Sequence, residues 1–85
     1  MLFNYIYKIM EQQFDAILSG SDSPIEGLVS QTTFDGNQAW DFKSIDETLH
    51  LVIAKDKKGN WIRVDGTEPY LSGWVGELAE QITKQ

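Results

Sequence analysis

The chain has no cysteine and a single histidine among its 85 residues, and each scarcity closes off a class of chemistry. Without cysteine there is no disulfide framework, no thiolate nucleophile and no cysteine-based zinc site, and His50 alone excludes clusters built on two histidines. Basic residues are also few. Seven Lys and Arg against thirteen Asp and Glu leave a net charge of −6, which opposes approach to DNA, RNA or anionic lipid at long range. Long hydrophobic runs are missing: the longest, Leu51 to Ala54, falls far short of the roughly 18 residues at which a membrane span begins. Neither G-x-x-x-x-G-K-[ST] nor G-x-G-x-x-G occurs, so the glycines form no phosphate loop.

What remains is a small acidic chain of one expected domain, residues 1–85, in which 41% hydrophobic and 12% aromatic residues suffice for a modest core. The N-terminal stretch lacks a basic leader region and a small-residue cleavage site, so it reads as structure and not as a signal peptide. On a helical wheel, residues 2–18 place their apolar side chains on one arc of roughly 220° and their polar ones on the rest. Only Gln13 falls on the wrong side. The expectation is an amphipathic helix stopped by Ser19-Gly20.

From Glu26 the period changes. Residues 28–34 and 38–42 are rich in β-branched and aromatic types, and Asp35-Gly36 between them is the dipeptide a type I′ hairpin turn prefers. A polar connection, Ser44 to Glu47, leads to strand-like residues 48–55, a turn at 56–60 and a returning strand at 61–65. Helical spacing resumes with Leu71, Trp74, Val75, Leu78, Ala79 and Ile82. The expected fold class is α+β: an N-terminal helix, a four-stranded antiparallel meander and a C-terminal helix, with the helices packed on the sheet. For the last hairpin the expected register sets Ile53 opposite Ile62 and Leu51 opposite Val64. A loop with Gly59 in a bulge would slip it by one residue and set Ala54 opposite Ile62.

Chemistry is thinly supported. In the expected register His50 faces Asp65, which would orient an imidazole, but no nucleophile motif completes a triad. Paired carboxylates such as Asp41 with Asp46 or Glu47 read as a solvated rim, and Asp56-Lys-Lys-Gly-Asn60 lacks the alternating ligands of a calcium loop. No catalytic, cofactor or metal residue is therefore assigned. The one local departure from the acidic average is Lys55, Lys57, Lys58 and Arg63 around Trp61. With His50 and Asp65 these residues form the candidate binding surface.

By subtraction, the expected function is a small soluble non-enzymatic domain, cytoplasmic, acting through a protein partner or as a homodimer. The alternative is a sheet face that binds single-stranded nucleic acid or another extended ligand, and the remote one is an enzyme using His50 with Asp65. No cofactor and no membrane association are expected, and nucleic acid is the less favoured partner.

Overall fold

A computed structural model describes residues 13–85. Five antiparallel strands, β1 (Gln13–Leu18), β2 (Ile25–Phe34), β3 (Asn37–Ser44), β4 (His50–Lys55) and β5 (Trp61–Gly66), form one sheet in sequential order, and a single helix, α1 (Gly73–Thr83), follows. This overturns the expected four strands and two helices. Residues 13–18 are a strand: Phe14, Ala16 and Leu18 alternate with Gln13 and Asp15, and that period of two delivers three apolar side chains to one face. The misfit of Gln13 on the wheel marks where β1 begins. The rest of the expected helix, residues 2–12, lies outside the described residues.

The sheet has two distinct faces. Ala16, Leu18, Val29, Phe42, Leu51 and Ile53 join Leu78, Ala79 and Ile82 of α1 in the main core, with Trp40, Trp61 and Trp74 packed around it. The helix touches both outer strands, β1 and β5, so the sheet curls around it. Gly27 makes room for this packing, because the Phe42 ring lies where a Cβ at position 27 would sit, 2.5 Å away. At the β2–β3 turn Asp35 and Gly36 have φ of 51° and 78°, which is the left-handed pair that the type I′ expectation requires.

The expected register of the last hairpin is wrong by one residue. Ala54 pairs with Ile62 and Ile53 with Arg63, and a bulge then leaves Val64 unpaired before Val52 meets Asp65. The cause is in the turn. Asp56 and Asn60 close the loop through the Asp56 N–H and the Asn60 carbonyl, and Gly59 takes a φ of 85°, the bulge geometry of a three-residue hairpin loop. Trp61 is thereby turned toward the helix and Ile62 away from it.

Candidate docking face

The expected surface around Trp61 breaks into three parts. Trp61, Arg63 and Lys55 are on the helix side, where they are already engaged. The Trp61 ring meets Trp40 edge-on at 5.3 Å, and Lys55 Nζ lies 5.2 Å from its centre. Arg63 donates to the carbonyls of Gly66 and Thr67 at 2.8 and 3.3 Å, reaches Glu68 at 3.5 Å and stacks on Tyr70 at 4.5 Å. Lys57 and Lys58 are exposed at the tip of the β4–β5 turn. His50 and Asp65 point to the face away from α1, but they do not pair.

The partner of His50 is Asp41, on β3. His50 Nε2 and Asp41 Oδ1 meet at 2.8 Å, both shielded from solvent and off the line of a well-directed hydrogen bond, and the pair is ionic only when the imidazole is protonated. Asp65 accepts instead from the Gly66 N–H at 2.8 Å, and Thr67 spends its hydroxyl on the His50 carbonyl at 3.2 Å. The His50–Asp65 arrangement behind the enzymatic alternative is therefore not formed. Sequence reasoning missed Asp41 because the register of the last hairpin placed Asp65 across from His50.

The face opposite α1 can be read in rows across the ladder. Asp15, Leu28, Lys43 and His50 form one row, Gln13, Ser30, Asp41, Val52 and Asp65 the next, and Thr32, Ala39, Ala54 and Ile62 a third. Phe34, beyond the third, and Val64, at the bulge between the second and the third, pack on a second cluster of Ala39, Val52 and Ala54. Among the described residues the sheet is covered on one side only, and a face left uncovered is expected to be polar. Here Ile17, Leu28, Ile45 and Ile62, four of the six exposed large apolar residues among those described, lie on this face or at its margin.

They fall into two patches. At the loop end Leu28 and Ile45 border a depression of about 610 Å³ that also touches Lys43, Glu47 and His50, with Ile17 exposed separately on β1. At the turn end Ile62, Phe34 and Val64 border one of about 360 Å³ that reaches Lys57. Leu28 and Phe34 are both on β2, roughly 20 Å apart at ~3.3 Å per residue. The Asp41 row separates them.

Ile45, 73% exposed, is held rigidly despite being in a loop. Its N–H donates to the Glu26 carbonyl at 2.9 Å. Around it, Asp46 Oδ1 accepts from the Thr48 hydroxyl, the Ser44 hydroxyl and the Thr48 N–H at 2.7, 2.8 and 3.1 Å. The Thr48 contacts, aided by Ser44, hold the Asp46 carboxyl below its ordinary 3.8. The sequence signal was present in Ser44-x-Asp46-x-Thr48, a spacing suited to side-chain turns, with one apolar residue inside a polar connection.

Comparison with family models, with curated proteins and with solved structures finds no match for this chain. The described residues form a small α+β arrangement of one curled antiparallel sheet and one helix. Among the described residues no helix is long and apolar enough to cross a membrane.

Proposed function

We propose that this chain is a non-enzymatic protein-binding module and that the sheet face opposite α1 is its docking surface. The observation that carries the reading is the placement of Ile17, Leu28, Ile45 and Ile62 on that face or its margin, each between 41% and 73% exposed. Covering a partly exposed Leu or Ile yields roughly 1 kcal/mol per side chain, so a few such residues, held in place, contribute usefully to association. Preorganisation helps further. The Asp46 network fixes the backbone on either side of Ile45, so ordering that loop adds little cost on binding.

A photo-cross-linking side chain placed at position 28 or 62 tests this directly, with position 80 on the outer surface of α1 as the reference. Discrete adducts from 28 and 62 and none from 80 are expected in the native cell. Adducts from 80 alone, or none from the sheet face, would overturn the assignment.

A further inference from the structure

We propose that the groove between β5 and α1 binds an extended peptide of a partner protein, which adds to β5 as a further strand of the sheet. The groove lies on the other side of β5 from the docking face and meets it only at Ile62. Two depressions, of about 520 and 460 Å³, join at Trp61 and follow α1 from Ser72 to Thr83. The larger touches Trp61, Ile62 and Arg63, consecutive residues whose side chains alternate between faces, so it opens at the edge of the strand itself. Backbone groups are available there. The Asp56 N–H donates to the Asn60 carbonyl, which makes 56 and 60 a hydrogen-bonded pair, and such pairs alternate along an antiparallel ladder. Ile62 therefore turns its N–H and carbonyl toward β4, while Trp61 and Arg63 turn theirs outward, where no described strand meets them. Outward groups at that spacing select another extended backbone.

The helix wall fits the same occupant. Gly76 lines the groove, and a Cβ there would meet nothing within 4 Å among the described residues. Glycine inside a helix weakens it relative to Ala, and close packing within the described chain does not account for this one. The space it leaves lets a peptide backbone approach α1. At the other edge of the sheet Trp74, Glu77 and Gln81 of the same helix reach across to the backbone of β1, whereas among the described residues no side chain bonds the backbone of Trp61. Charge distinguishes one end. Lys55 and Arg63 are the charged residues of the lining, and Arg63 already meets Glu68 at 3.5 Å. Lys55 has no ion-pair partner among the described residues, and Asp35 and Asp56 share with it only the depression on the opposite face. The strand that fits carries apolar side chains along Trp61 and Gly76 and a carboxylate at the Lys55 end.

Selection of short peptides from a displayed random library on the full chain tests the proposal. Enriched peptides are expected to alternate in apolar residues and to carry an acidic residue toward one end. Adding one of them should slow exchange of the Trp61 and Arg63 amide hydrogens, and methylating alternate peptide nitrogens should abolish binding in one set and spare it in the other. Gly76→Leu should weaken binding of the same peptide by about tenfold or more. Gly76→Ala should raise the melting midpoint by a few degrees, because the added methyl has open space and favours the helix. Gly73→Ala, equally unobstructed but outside the lining, is the control that leaves binding unchanged. Failure to enrich any peptide, unaltered exchange at Trp61 and Arg63, or equal affinity for Gly76→Leu overturns the proposal. So does a lowered melting midpoint in Gly76→Ala, which would show that the chain itself already fills the space. The docking face stands or falls separately, on cross-links from position 28 on β2, and position 80, which lines neither depression, keeps its value as the reference there.

Discussion

The side-chain amide of Gln81 bridges the edge of β1 that no described strand pairs with, its Nε2 donating to the Ile17 carbonyl at 2.8 Å and its Oε1 accepting from the Ile17 N–H at 2.9 Å. The amide thus stands in for a neighbouring strand. Glu77 continues the arrangement by accepting from the Ser19 N–H at 2.8 Å, and Trp74 Nε1 donates to the Ser19 carbonyl at 2.7 Å. An unpaired edge is a template for pairing with other chains, and these contacts cover the end of it nearest the β1–β2 loop.

Gln81→Ala removes both hydrogen bonds at once. Because the site is exposed and water can replace them, the expected loss of stability is small, about 1 kcal/mol by urea denaturation. Aggregation should respond more strongly than stability. Light scattering at equal concentration is expected to show faster assembly of the variant, and unchanged behaviour in both measurements would remove the edge-capping role.

The register of the last hairpin makes opposite demands on neighbouring residues. Trp61 packs on the main core and on Trp40, so Trp61→Ala should cost about 3 kcal/mol. Ile62, 41% exposed on the other face, should tolerate Ala with a loss of about 1 kcal/mol or less in the monomer. Had Ile62 pointed inward, as the expected pairing with Ile53 requires, the order would reverse. Unfolding of the two variants side by side decides between the registers.

These examples show where the sequence was legible. The Asp35-Gly36 hairpin and the C-terminal helix followed from local chemistry, since turn dipeptides and 3.6-residue spacing act over a few residues. What failed depended on distant partners. β1 carries an ambiguous run, Phe14 to Leu18, at the end of a stretch with helical spacing, and only pairing with Ile25 to Ser30 selects the strand. The hairpin at residues 56–60 turned on one glycine conformation that shifts every later side chain to the other face. His50 was recognised as a candidate and does belong to the face opposite α1; of the residues at its apolar end, Ile45 was marked by the polar connection around it, whereas Leu28 gave no signal of exposure on its own. Exposure is a property of the assembled sheet.

Gly27 offers a direct test of how tightly the sheet packs under α1. A Cβ there would come within 2.5 Å of both the Lys43 carbonyl oxygen and the Phe42 ring, and Phe42 is fully buried. The ring cannot retreat without disturbing the core. Gly27→Ala is therefore expected to destabilise by about 1–3 kcal/mol. Adding Phe42→Leu to that background should cost less than Phe42→Leu alone, because the shared clash is relieved. Strict additivity in a double-mutant cycle would show that the two positions do not compete for the same space.

The Asp46 network predicts a pH dependence with a definite sign. Hydrogen bonds from Thr48 and Ser44 favour the ionised carboxylate, so its folded pKa lies below the ordinary 3.8 it regains on unfolding. A depressed acid stabilises the folded state where the carboxylate is ionised in both states. That contribution is complete above pH 3.8 and is lost as acidification carries the folded form through its own, lower pKa. Thr48→Val removes the hydroxyl donor, which is among the largest causes of the shift, so NMR titration should find the Asp46 carboxyl closer to its ordinary value. The loop would also lose part of what fixes the backbone around Ile45. If the open face docks a protein through that side chain, Thr48→Val should weaken association at neutral pH while leaving the sheet intact, and an unaltered affinity alongside a raised carboxyl pKa would separate the loop's electrostatics from its role in docking.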